Sequence, residues 1–118
     1  MDYNKVQIMG RLTRDVEIIK ENEEEVKRCT FTVAVNRKQG DQQSVTFFDC
    51  ACFGKLAKIF SGFSFKKSDP IFIEGALNIS DYEDKDGQKK RSVSIWVSDF
   101  RAMSKKGAQV SEPQAVGV

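Results

Sequence analysis

Only one stretch of this 118-residue chain carries a helical period, and its position restricts the folds available. Within Lys55 to Ser64 the apolar residues Leu56, Ile59, Phe60 and Phe63 recur at i, i+3, i+4 and i+7, one face of an α-helix. Around it the pattern has a period of two. Val6, Ile8, Gly10 and Leu12 alternate with Lys5, Gln7, Met9 and Arg11, and Val16 to Ile19 reads as the same strand continued past a bend at the glycine. A second strand sets Cys29, Phe31, Val33 and Val35 against Arg28, Thr30, Thr32 and Ala34. The polar segment Asn36 to Gln43, with its Gly40-Asp41 pair, reads as a turn. Ser44 to Phe53 follows as a third strand, β-branched and aromatic, closed by Gly54.

Beyond the helix, Lys66 to Pro70 leads into a fourth strand from Ile71 to Tyr82, bent at Gly75. Asp84-Lys85-Asp86-Gly87 is a hairpin turn with glycine placed for a positive φ, and a fifth strand runs from Lys89 to Met103. The order β-β-β-α-β-β predicts an all-β OB-fold, a five-stranded Greek-key barrel with one short helix between strands 3 and 4. Gly10 and Gly75 then fall where long strands of a small barrel turn corners. An SH3-like barrel leaves the helix unexplained. The expected domain covers residues 1–104, with 105–118 an aperiodic, disordered tail.

Chemistry is narrowed by what is missing. With no histidine, Ser-His-Asp and Cys-His catalysis and His-ligated metal sites are excluded. Cys29, Cys50 and Cys52 have no metal-ligand spacing and read as core hydrophobes in a reducing compartment. The acids from Asp81 to Asp86 lack the glutamate that would complete an EF-hand loop, and no phosphate-binding glycine loop is present. The reading is therefore of a non-enzyme with no catalytic residue, cofactor or metal. No apolar run approaches the ~20 residues of a membrane span, and the start lacks a signal-peptide h-region, so a cytoplasmic protein is expected.

The overall charge of +2 is unevenly distributed. Between Asp15 and Glu25 six acids face one base, a net −5, which leaves +7 on the remaining residues. That acidic turn is a solvated hairpin tip or a projection held clear of a polyanion bound elsewhere. On the third strand Phe47, Asp49, Ala51 and Phe53 share one parity, and Phe48, Cys50 and Cys52 the other. A barrel strand has one inward face, so one phenylalanine set lies outside. Nucleic-acid bases or another subunit would cover it. Tyr82 lies beside a hairpin carrying Lys85, Lys89, Lys90 and Arg91, an aromatic next to cations. Trp96 shares its parity with Ser92, Ser94 and Ser98, which sets it outward, at an interface, an edge or a base.

These segments together resemble bacterial-type single-stranded DNA-binding proteins (SSB) over about Asn4 to Met103. The resemblance rests on Asn4-Lys5-Val6 with Gly10 to Asp15, Phe31 to Arg37, Asp49 to Ala57, Ile73-Glu74-Gly75, and Tyr82 to Gln88, five pieces in the family's order and spacing. It implies binding of single-stranded DNA with little sequence preference, in DNA replication, recombination and repair, near the nucleoid. Phe47, Phe53 and Tyr82 fall on the family's base-stacking positions, Phe47 and Tyr82 where some members have tryptophan. A further family aromatic aligns near Lys38 or Gln39 and is missing here. Arg11, Arg14, Arg37, Lys55, Lys67 and Lys85 are the implied phosphate contacts. Asn4 to Ile8 match the family's subunit-contact segment, which implies a homotetramer, with a dimer second. Relatives typically end in an acidic tip that recruits replication proteins. Here Glu112 is the one acid after Asp99, so recruitment by such a tip is not expected. The other functions open to such a barrel are a protein-interaction module and an RNA or oligosaccharide binder.

Overall fold

The computed structural model describes residues 2–103 and the backbone of 109–111. The elements are β1 (Val6–Leu12), β2 (Glu17–Lys20), β3 (Val26–Gln39), β4 (Gln42–Phe53), α1 (Gly54–Gly62), β5 (Pro70–Glu83), β6 (Lys89–Met103) and β7 (Gln109–Ser111). The expected disordered tail falls mostly outside the described residues, and within it Gln109–Ser111 pairs with the end of β6.

Neighbouring strands run β1-β5-β6-β4-β3, and β1 also pairs with β3, which closes the ring. All pairings in the ring are antiparallel except β4 with β6, where Cys50 and Ala51 lie beside Ile95 and Trp96. This is the five-stranded barrel expected from the strand order. Closure depends on β1 serving two partners. Val6 to Arg11 lie against Gly75 to Pro70 of β5, whereas Arg11 and Leu12 lie against Ala34 and Val33 of β3. At the crossing an added Cβ on Gly10 would strike the carbonyl oxygen of Ala34. Gly75 is as tightly confined, because a Cβ there would strike the Trp96 carbonyl oxygen. The register of β5 against β6 also slips at this point, between Glu74 and Gly75, leaving Ser98 as an extra residue on β6.

Two local readings of the sequence need correction. Residues 16–19 do not prolong β1, because the Leu12 N–H and C=O turn to Asp69 and Ser68 in the loop before β5 (3.0 and 2.8 Å). The chain then restarts as β2, paired with β3 alone. Asn36 to Gln43 is not a loop. β3 and β4 run on to a two-residue turn at Gly40 and Asp41, with Gln39 opposite Gln42. Polar side chains are tolerated there because that end of the hairpin is exposed on both faces.

Among the described residues fourteen buried apolar ones fill the interior, including Leu12, Phe31, Val33, Ile71, Ile73, Ile95 and Phe100. Helix α1 covers one end. Phe60 stacks on Phe31 with centroids 4.6 Å apart and meets Phe100 edge-on at 4.8 Å. The helix stops two residues short of the predicted Ser64, which takes a left-handed backbone (φ 53°) and reverses the chain. All three cysteines are buried and free, and the Cys29 thiol donates to the Ala57 carbonyl (3.3 Å). Burial pushes the Cys50 thiol up to about 12.

Gly75→Ala should lower folding stability by about 1–3 kcal/mol, read from the denaturant midpoint. An unchanged midpoint would contradict the close approach at the barrel corner. The three thiols should be unreactive to iodoacetamide at pH 8 in the native protein and fully alkylated once it is unfolded.

Candidate nucleic-acid interface

A filled barrel leaves each strand one outward face, and β4 spends large aromatics on it. Cys50 and Cys52 are 3% and 0% exposed, whereas Phe47 and Phe53 are 64% and 45% exposed. The two rings are six positions apart, about 20 Å along an extended strand. Between them lie Asp49, whose carboxylate accepts from the Thr32 hydroxyl (3.0 Å), and the small Ala51.

Cross-strand pairing sets the neighbours of each ring. Ala34 of β3 lies opposite Phe47, and Arg11 of β1 lies opposite Ala34, so one row holds Arg11, Ala34 and Phe47. Phe53 lies opposite Arg28. On the other flank of β4, Trp96 pairs with Ala51 and meets Phe53 edge-on, centroids 5.4 Å apart and planes at 68°. Tyr82, half exposed, sits opposite Lys90 near the tip of the β5–β6 hairpin, on the same outward parity as Trp96. It lines a cavity of about 570 Å³ with Asp81, Glu83, Lys89, Lys90 and Arg91.

The six expected phosphate contacts are all exposed, but they do not form one cluster. Arg11 donates from Nη1 to the Ser68 carbonyl (3.2 Å), and the Lys67 N–H donates to Asp15 Oδ1 (2.8 Å). Arg11, Arg14 and Lys67 thus gather where the 66–69 loop meets the end of β1. Lys55 follows Phe53 at the start of α1, in a cleft shared with Glu21, Glu25 and Lys58. Arg37 and Lys85 sit toward the tips of the β3–β4 and β5–β6 hairpins. No carboxylate of the described residues holds the side chain of Arg14, Arg37, Lys55, Lys67 or Lys85. Lys5, Arg91 and Arg101 are by contrast paired with Glu74, Asp81 and Asp99. The hydrogen bond and charge of Glu74 raise the Lys5 amine, while the Lys5 and Gln7 hydrogen bonds lower the Glu74 carboxyl.

Two residues of this face escape sequence reasoning. Arg28 is one, because its place opposite Phe53 follows only once the β3–β4 turn is known to be two residues long. Trp96 is the other. Parity turns it outward, but its contact with Phe53 comes from the parallel β4–β6 pairing, which joins residues more than forty positions apart.

The sequence model of the single-strand binding protein family matches residues 3–103. A single-stranded DNA-binding protein of Wolinella succinogenes is 34% identical over 113 residues, 90% of this chain and 67% of the relative. Single-stranded DNA-binding protein 1 of Streptococcus pyogenes is 32% identical, covering 87% of this chain and 80% of the relative. A Treponema pallidum relative is 37% identical over 86% of this chain, which spans 58% of that protein's length. Among solved structures, the Plasmodium falciparum SSB complex with ssDNA superposes with a TM-score of 0.77 at 17% identity. That likeness covers 88% of this chain and 97% of the other, and it is a likeness of fold.

Because Trp96 is the sole tryptophan and stands half exposed, acrylamide should quench the free protein's emission readily. A blue-shifted emission that acrylamide does not reach would place the indole in a contact that one chain does not make.

Proposed function

The chain belongs to the single-strand binding protein family, and from that premise we infer that it binds single-stranded DNA with little sequence preference. Bases stack on Phe47, Phe53 and Tyr82, while Arg11, Arg14, Arg37, Lys55, Lys67 and Lys85 neutralise phosphates. The observation that carries this reading is the outer face of β4. Two phenylalanines about half or more exposed stand on it, and Arg37 and Lys55, which no carboxylate among the described residues holds, lie toward its ends. Every base has a π-face, so stacking of this kind holds a strand without reading its sequence. Phosphate neutralisation adds counterion release and makes the affinity fall with salt. Duplex bases are already stacked on each other, so duplex DNA offers these rings little.

The role that follows is protection of unpaired DNA in replication, recombination and repair by a cytoplasmic binding protein without catalytic chemistry. Among the described residues no helix is long and apolar enough to cross a membrane. A homotetramer is the assembly we favour, with a dimer second. Leu77, Ile79 and Val93 leave an aliphatic strip exposed on the β5–β6 hairpin, and the Asn4 side-chain amide donates to the Leu77 carbonyl (2.8 Å) and accepts from the Leu77 N–H (3.0 Å). That strip lies on the face opposite Trp96, so subunit packing there leaves the aromatic face open.

Fluorescence anisotropy with labelled poly-dT, matched duplex and RNA oligomers across a salt series tests the reading. Poly-dT should bind far more tightly than duplex, and equal binding at low salt would refute it. Phe53→Ala should cost about 1–3 kcal/mol of binding and leave the salt slope nearly unchanged. Lys55→Ala or Lys85→Ala should instead flatten the slope by about one contact. Unchanged affinity in both Phe47→Ala and Phe53→Ala would assign those rings to a subunit interface.

A further inference from the structure

Trp96 lies outside the aromatics on which the family resemblance bears, yet it occupies the middle of the same face. β6 runs between β4 and β5, so its outward residues sit midway across the sheet. The cross-strand neighbours of Trp96 are both alanines, Ala51 on β4 and Ala76 on β5. Along β6 the residues two positions away are Ser94 and Ser98. Four side chains of this size cannot cover an indole, and the ring remains 49% exposed.

Phe53 does not cover it either. At 68° between planes the two rings form a corner rather than a stack, so each leaves aromatic surface open. No hydrogen bond among the described residues engages the indole N–H. Arg28 of β3 lies opposite Phe53 on the flank of β4 away from Trp96, so a cation stands beside the Phe53 ring for a phosphate. A second copy of the chain fits this place less well. The exposed aliphatic residues Leu77, Ile79 and Val93 are on the other face of the same hairpin, where a subunit contact has apolar surface to bury.

We propose that Trp96 is a fourth base-stacking platform, and that with Phe53 it forms a corner seating one nucleobase, stacked on one ring and met by the edge of the other. This rests on the reading of the chain as a binder of single-stranded DNA. The site belongs to the middle of the face, between Phe53 on β4 and Tyr82 on the hairpin.

The sole tryptophan makes the test selective. The full chain is titrated with unlabelled dT oligomer while its emission is followed, and with labelled dT oligomer by anisotropy. Emission should fall in parallel with the anisotropy isotherm. Trp96→Ala should weaken dT binding by about 5- to 150-fold. Trp96→Phe, which keeps a ring, should retain most of the affinity, and both variants should keep the parent's mass in solution. The proposal is overturned if dT binds while the emission stays unmoved, if Trp96→Ala binds within fivefold of the parent, or if that variant changes the mass in solution. Absence of dT binding by the parent is a different result, visible in the anisotropy alone, and it refutes the underlying reading as well.

Discussion

Closure of the barrel through β1 determines what every other strand presents. β1 lies along β5 for most of its length and reaches β3 at Arg11 and Leu12. That reach needs the bare backbone of Gly10 against Ala34. Once the ring is shut, each strand has a single inside, and a period of two assigns every residue of β4 to the core or the surface. Cys50 and Cys52 take the core with Phe31, Ile73 and Ile95. Phe47 and Phe53 are left outside. The surface aromatics therefore follow from the same alternation that fills the interior, and no local strain is needed to expose them.

Cations flank the rings of this face, Arg11 in the row of Phe47 and Arg28 opposite Phe53, and others surround it. Lys67, Lys55, Arg37 and Lys85, which no carboxylate among the described residues holds, lie at its margins, on the 66–69 loop, the helix start and two hairpin tips. Its middle carries one carboxylate, Asp49, held by Thr32. The acidic tip is built in its own right, with the Asn22 side chain accepting the N–H groups of Glu24 and Glu25 (both 2.9 Å). It shares a cleft with Lys55, so the −5 segment stands next to one margin rather than remote from the whole face. Such a layout favours a ligand that turns its bases to the rings and its phosphates to the periphery.

The barrel was legible in the sequence because its signals are local. Period-two runs, one period-3.6 run and Gly87, with its φ of 77°, all act within a few residues. Phe47 and Phe53 were separable from Phe48 by parity alone. What stayed hidden depends on partners distant in the chain. The break between β1 and β2 comes from Leu12 bonding a loop more than fifty residues on, and polar composition concealed the exposed end of the β3–β4 hairpin. Arg28 and Trp96 are intelligible only beside Phe53, and pairing across strands put them there. The seven other phenylalanines are not displayed as Phe47 and Phe53 are, and five of them, Phe31, Phe60, Phe63, Phe65 and Phe100, pack on one another under the helix end of the barrel.

The central claim is that the outer face of β4, continued onto β6, is where a strand lies. Photo-crosslinking with an oligo-dT carrying 5-iododeoxyuridine, followed by mass spectrometry of the digested adducts, addresses it most directly. The account predicts adducts at Phe47, Phe53 and Trp96, with Tyr82 at the hairpin. Adducts confined to the opposite face of the hairpin, around Leu77, Ile79 and Val93, with the β4 rings unmodified, would contradict it.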